Sequence, residues 1–533
     1  MSIPSEQHET AAFLHGLAGR DPVETHISAV FIGPDTVWKL KKAVRLSFLD
    51  FTDLPTRHRL LLRELEVNRP AAPELYRDVV PVIRRPDGAL ALGDGKQAES
   101  DVPASDVPES DVVDWVLRMT PVPAEDFLDA LAARHGLTPA LLDALADTVS
   151  AYHQALPAAQ GVDTPAAMRA VAQGNAAAAH DAGLPEARVQ EWLGSELAAI
   201  ERIAPWLAQR AASGFVRRAH GDLHLGNLCL WHGTPVPFDA IEFDEAMATT
   251  DLGYDLAFLL MDLDHRVTRG AANRVLNRYV ARTGDAALTG GLPAFLSMRA
   301  MIRAQVEASR GNRDAAAAYL ERAFTYLSPL APIVVAIGGL PGTGKSTLAR
   351  ALAPTLGPAP GALVLRSDEI RKRQHGAAPE QRLPESAYSE AASNAVFEEL
   401  TAMVGVVAAG AHGVGGHGVG GHGVIADAMF LRPEQRAAVA QAAVKAGVPF
   451  LGLWLTAPTE VLEARLAGRT GDASDATIAV LHAATRSDRG GADWVATDAS
   501  DAGQALAQAQ RALAQLQKAV QARFGSHVQR EMC

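Results

Sequence analysis

The run Gly339-Leu340-Pro341-Gly342-Thr343-Gly344-Lys345-Ser346, followed by Thr347, has the residue types and spacing to hold a chain of phosphates. Glycines let successive backbone N–H groups converge on an anion, and the positive end of a following helix strengthens that field. Lys345 has the reach for β- and γ-phosphates, and the Ser346 hydroxyl is a ligand for Mg²⁺. The flanks agree. Ile333-Val334-Val335-Ala336-Ile337 is the short β-branched run of a buried parallel strand. Thr347 to Ala353 is made mostly of good helix formers. A glycine-rich turn with an incidental lysine has no need of both flanks and all four motif positions. The pattern implies a nucleoside triphosphate with its Mg²⁺.

A second constellation lies upstream: His220-Gly221-Asp222-Leu223-His224-Leu225-Gly226-Asn227. An Asp and an Asn five apart on a loop, followed by a hairpin that returns a carboxylate, suit phosphoryl transfer. Asp222 can accept the proton of an attacking hydroxyl, while Asn227 and the returning carboxylate, Asp239 or Glu242, hold Mg²⁺ against the phosphates. A polar turn whose Asp and Asn bond only to their own backbone would explain the pair, but not the hairpin as well.

Several elements must place these groups. His26–Ile32 and Thr36–Lys41 flank Gly33-Pro34-Asp35, a hairpin signal. Alternation puts Lys39 and Lys41 on one strand face and Trp38 and Leu40 on the other. A solvated face is the ordinary reading of two such lysines, but a helix predicted over Arg57–Asn68 offers Glu64 as a partner. Residues 100–111 repeat Ser-Asp-Val-Pro, an acidic stretch read as a solvated loop. Val112–Met119 reads as a strand, and Ala124 to about Ala212 as helices. Beyond the prolines near Ser328–Pro332, strands are predicted at 362–365, 424–427, 450–455 and 495–497, alternating with helices in the βα pattern of a parallel sheet. There Asp368 and Arg371 are placed to hold an acceptor, Asp427 to bind Mg²⁺ through water, and Arg465 and Arg469 to clamp a transferring phosphate. Ala411–Val424 repeats His-Gly-Val-Gly-Gly twice. Three histidines five apart can bind a transition metal, but tandem duplication of a loop accounts for them without one.

Composition narrows the classes. The 533 residues exceed one core, and a net charge of −12 argues against nucleic acid as the main partner. Two cysteines, Cys229 and Cys533, exclude a disulfide framework and a cysteine zinc site. The N-terminus shows no signal pattern, and the uncharged stretch 401–426 is too rich in Gly and His for a membrane span, so a cytoplasmic protein without a membrane partner is expected.

Residues 23 to about 325 resemble the aminoglycoside phosphotransferase and choline kinase group, relatives of the protein kinases. His220-Gly221-Asp222 and Asn227 match its catalytic loop, and Asp251–Ala257 the helix start beyond its metal-binding aspartate. The resemblance implies Lys39 (or Lys41) as phosphate anchor, Glu64 as its partner and Met119–Pro121 as the adenine hinge. No G-x-G-x-x-G loop precedes Lys39. Spacing from Asn227 favours Asp239 as the metal carboxylate, and local context favours Glu242. Residues beyond 333 resemble small P-loop kinases of the gluconate kinase and zeta-toxin type. Nearly the whole chain is similar to bacterial proteins that fuse a phosphotransferase-like domain to such a predicted kinase.

The expectation is an α+β protein-kinase-like domain over 1–327 (small lobe about 23–120, large lobe about 121–327), then an α/β P-loop domain over 333–525. Two MgATP sites would phosphorylate small hydroxylated acceptors. A rival is regulatory, with one domain only sensing ATP. A mechanochemical AAA ATPase is disfavoured because Ala428, not Glu, follows Asp427.

Overall fold

In the computed structural model, residues 2–46, 49–93, 111–412, 421–468, 473–487 and 493–531 are described. Most of the Ser-Asp-Val-Pro repeat and residues 413–420 of the histidine repeat lie outside them. The chain forms two compact units: 1–137 with 155–158 and 217–250, and 138–154 with 159–216 and 251–533.

The first unit is built on a six-stranded antiparallel sheet. Its order is Val23–Glu24, β1 (Ser28–Ile32), β2 (Val37–Lys41), β4 (Val112–Met119), β3 (Tyr76–Arg84) and Leu90–Leu92. Strand alternation sends Phe31, Trp38, Leu40, Val80, Val82 and Val116 into one apolar layer with Leu14. The opposite face, with Tyr76, Val79 and Leu117, receives helix α1 (Leu54–Asn68) through Leu61 and Leu65. Asp53 caps that helix by accepting from the Thr56 N–H at 2.8 Å. Buried positions 57, 60, 61, 64, 65 and 68 follow the 3.6-residue period, which turns Glu64 toward β2. The face bearing Lys39 and Lys41 is therefore not solvated: Lys41 is 1% exposed. β5 (Leu228–Trp231) and β6 (Thr234–Pro237) form a hairpin. Its two-residue turn has His232 at φ +49° and Gly233 at φ +79°, the left-handed pair that matches strand twist.

The second unit contains a helical bundle and a parallel sheet. Helices Thr164–Asp181, Glu186–Ala212, Leu252–Arg266, α2 (Arg269–Thr283), Leu292–Ser309 and Arg313–Leu327 make the bundle. Its buried Arg210 is shared by Asp251 at 2.6 Å and Asp285 at 2.8 Å, so the charge is compensated on both sides. The sheet comprises β7 (Val334–Gly339), β8 (Leu363–Arg366), β9 (Val424–Asp427), β10 (Phe450–Thr456) and β11 (Val495–Asp498), ordered β8-β9-β7-β10-β11. Helix α3 (Lys345–Leu352) follows β7, and α4 (Ser367–Gln374) follows β8. Val335, Ile337, Ile425, Leu453, Leu348 and Leu352 form its main core, which Ala505, Ala509 and Leu513 of the last helix complete. Among the described residues, the helix Glu390–Ala409 is long and apolar enough to cross a membrane. Its Val396, Leu400, Val404 and Val407 are wholly buried within this unit.

Candidate functional site

In the first unit β2 and α1 bring two lysines against one carboxylate. Glu64 meets the Lys39 ammonium at 2.6 Å with Oε1 and the Lys41 ammonium at 2.8 Å with Oε2. Lys39 also reaches Asp239 Oδ1 at 2.5 Å, and Lys41 pairs with Glu242. The sequence left Lys39 or Lys41 and Asp239 or Glu242 open, and the members of each pair differ in exposure. The Glu242 side chain is 5% exposed behind Lys41, whereas that of Asp239 is 42% exposed beside Lys39. Burial opposes charge on Lys39, but Asp239 and Glu64 outweigh it and raise its pKa well above the ordinary lysine value. Glu64 is likewise opposed by burial, yet the two lysines hold it below the usual carboxylate range. Burial pushes Glu242 upward despite Lys41.

The loop 220–227 is tied to the same place. Asn227 Nδ2 donates to Asp222 Oδ2 at 2.9 Å and to the Asp222 carbonyl at 3.0 Å, which leaves its Oδ1 as the end suited to a cation. His220 bonds the Phe238 carbonyl at 2.9 Å through Nε2, and the Ile241 N–H donates to the His220 carbonyl at 3.0 Å. The HGD loop and the Asp239 segment are thus stitched together. Gly221 sits at φ +82°, and a Cβ there would lie 2.8 Å from Ile241 Cδ1, so only glycine makes this turn without displacing its neighbour. Asp239 adopts φ +62°, a left-handed conformation uncommon outside glycine. Tyr76 and Asn68 hold it there, accepting from the N–H groups of Asp239 (2.9 Å) and Ala240 (2.8 Å). Met119 ends β4 opposite Val37 and Tyr76.

In the second unit the loop from Gly339 to Gly344 joins β7 to α3. Gly342 (φ +86°) passes so close to Leu462 that a Cβ would meet its carbonyl oxygen at 2.9 Å. Lys345 Nζ folds over the loop onto the carbonyls of Gly339 (2.9 Å) and Leu340 (3.0 Å). Ser346 Oγ donates to Asp427 Oδ2 at 2.5 Å, and Arg366 Nε lies 3.4 Å from the same oxygen. A hydroxyl and a carboxylate converging at a helix N-terminus are hard oxygen donors that fit Mg²⁺. Asp368 is half-buried close to Arg366 and Asp427, and desolvation raises its pKa. Arg371 donates to the Ala387 carbonyl at 2.6 Å and lies 4.8 Å from the Tyr388 ring centroid. Arg465 donates through its two terminal nitrogens to the carbonyls of Ala499 (2.9 Å), Ser500 (2.8 Å) and Gly342 (3.4 Å), which ties it to the phosphate loop. Arg469 lies outside the described residues.

Residues 98–290 match the model of the phosphotransferase enzyme family, and residues 334–488 match an AAA domain. The chain joins a phosphotransferase domain to a P-loop AAA domain. Its fold is accordingly α+β and kinase-like first, then α/β around a parallel sheet. Uncharacterised proteins of Mycobacterium tuberculosis and Mycobacterium bovis are each 27% identical over 489 residues, spanning 88% of this chain and 90% of theirs. The solved choline kinase of Cryptosporidium parvum covers 60% of this chain and 95% of its own at 10% identity, with a TM-score of 0.36. The gluconokinase of Sinorhizobium meliloti covers 36% and 97% at 20% identity, with a TM-score of 0.25.

Sequence reading missed several residues of both domains. In the phosphotransferase domain Tyr76 and Asn68 belong with Asp239; Asn68 was read only as the end of a helix, and no strand was expected at Tyr76. In the AAA domain Asp475 gathers Lys372 Nζ (2.7 Å), the Leu383 N–H (3.0 Å) and Tyr388 OH (2.5 Å) near Arg371. Nothing in the short run Ala473-Ser474-Asp475 distinguished it from a polar loop. Of the repeated histidines, His422 is a core residue, 1% exposed, whose backbone N–H donates to the Val407 carbonyl at 2.9 Å.

Proposed function

We propose that this chain is an ATP-dependent phosphotransferase with two MgATP sites, one in each domain, each serving a small hydroxylated acceptor. The domains would run over 1–327 and 333–525. In the first, Lys39, held by Glu64, neutralises the nucleotide phosphates, and Met119 lies at the adenine edge. Asn227 and Asp239 would hold Mg²⁺, which supplies charge neutralisation between the β- and γ-phosphates when bound. Asp222 accepts the proton as the acceptor oxygen bonds to the γ-phosphorus and the bond to the ADP oxygen breaks. Lys41 and Glu242 form a buried pair that fixes Glu64 from behind. In the second, the backbone of 339–344 cradles the triphosphate and Lys345 follows its γ-phosphate. Ser346 and Asp427 would hold Mg²⁺, while Asp368 meets the acceptor hydroxyl.

The observation that carries this reading is the contact of Lys39 with both Glu64 and Asp239, on a segment laced to the Asp222 loop. A strand lysine shared by a helix glutamate and a returning aspartate serves a triphosphate, whereas a purely structural bridge has no use for the exposed aspartate. Calorimetric titration with a non-hydrolysable ATP analogue and Mg²⁺ tests it. Two equivalents are expected for the native chain and one each for Lys345→Ala and for Asn227→Ala/Asp239→Ala. A single equivalent that vanishes in Lys345→Ala would leave the phosphotransferase domain without nucleotide and overturn the two-site reading.

A further inference from the structure

Strand β8 ends the AAA sheet, so one row of its backbone groups has no neighbouring strand. Helix α2 of the bundle covers that row with side chains. Asn277 Oδ1 accepts from the Val364 N–H at 2.5 Å, and Asn273 Nδ2 donates to the Ala362 carbonyl at 3.0 Å. The two asparagines are one helical turn apart and bonded to each other at 3.0 Å, so they act as a short replacement rung. β8 runs without a break into α4. Two residues past Val364, Arg366 reaches Asp427, the partner of Ser346; two further on stands Asp368.

The far end of α4 is held by the same helix. Arg373 Nη1 donates to the Ala281 carbonyl at 3.2 Å, passing over Gly284, where a Cβ would sit 2.9 Å from its Nε. Arg278 is fixed by Asp147 at 2.7 Å and extends to Glu380 at 2.6 Å, on the segment whose Gln381 carbonyl receives Lys372. One helix outside the matched AAA region therefore grips both ends of the segment that carries Asp368 and Arg371.

We propose that Asn277 and Arg278 are positioning residues of the AAA site, setting the acceptor-binding segment 363–380 against the phosphate loop. This rests on the reading of Asp368 and Arg371 as acceptor groups. The test uses the full chain with Asn277→Leu and Arg278→Met, beside the conservative Asn277→Asp, which keeps the acceptor for the Val364 N–H, and Arg278→Lys. Amide hydrogen exchange over 363–374 should accelerate roughly 10- to 100-fold in Asn277→Leu, as loss of two or three hydrogen bonds implies, and exchange over 345–352 should stay unchanged. Binding of the non-hydrolysable analogue at the phosphate loop should hold within about two-fold. With whichever sugar, sugar acid or polyol gives Lys345-dependent ADP release, KM for that acceptor should rise about ten-fold with kcat nearly kept, and the conservative variants should recover most of it. Unchanged exchange over 363–374, or a uniform rise across the domain with loss of the analogue, overturns the proposal. Absence of Lys345-dependent turnover in the native chain instead counts against the acceptor reading, and the exchange measurement still decides whether α2 orders α4.

Discussion

Two acidic residues three apart, Asp239 and Glu242, differ sharply in exposure, and substitution should separate their roles. Asp239→Asn is expected to weaken Mg·ATP binding at the phosphotransferase domain with little change in melting temperature, because its side chain is well exposed. Glu242→Gln leaves the buried Lys41 with Glu64 alone and should cost about 3 kcal/mol of stability, the scale for breaking a buried pair, while nucleotide affinity changes little. Thermal unfolding and calorimetry on both variants check this; the opposite assignment predicts the converse. Asp222→Asn should lower transfer by about 10²–10⁴-fold at nearly constant ATP affinity, the range for a positioned base. Turnover at the native rate with an acceptor of that domain would remove Asp222 from the role. These residues could be picked out as candidates because phosphoryl transfer needs fixed types at fixed spacing. The choice between Asp239 and Glu242 was not, since it depends on which carboxylate the backbone turns outward, and the Asp239 conformation is set by Tyr76 and Asn68 from distant elements.

At the scale of elements, periodicity located the parts and said little about their neighbours. All five strands of the parallel sheet were placed within a residue or two, and α1 began three residues earlier than expected because Asp53 and Pro55 open it. Strand order was invisible in the sequence, as pairing between non-adjacent strands is decided only when the helices pack. The same holds for carboxylates inside the helical bundle. Glu196, on the helix Glu186–Ala212, is wholly buried, and that burial raises its pKa to about 8. The unfolded value is near 4.3, so between about pH 4.3 and 8 the folded chain holds a proton that the unfolded chain releases. Stability should fall as pH rises through that window. Glu196→Gln is expected to flatten the fall and to melt higher than the native protein at pH 8. An identical pH dependence of melting temperature in both proteins would show that Glu196 is not the group involved.

Across the whole molecule, the tandem of a phosphotransferase domain and an AAA domain was readable from two motifs and a proline-bearing junction. How the chain partitions was not. Its helical bundle condenses with the AAA sheet in one unit, while the kinase-like sheet and the HGD loop form the other. Sequence motifs mark chemistry, but packing is set by faces such as α2, whose asparagines belong to no motif. A fragment beginning at Ser328 should therefore self-associate on size-exclusion chromatography, because an uncovered strand edge is a template for another chain. The same fragment extended back to Asp251 should elute closer to its monomer volume. A monomeric short fragment with native thermal stability would show that the edge needs no cover.

Asn273 and Asn277 also bear on how such a gene can evolve. Fission at the junction would release a second polypeptide with a sticky flank, and selection against aggregation would remove it before either half gained independence. Two amide side chains would thus act as a ratchet, keeping two domains in one reading frame.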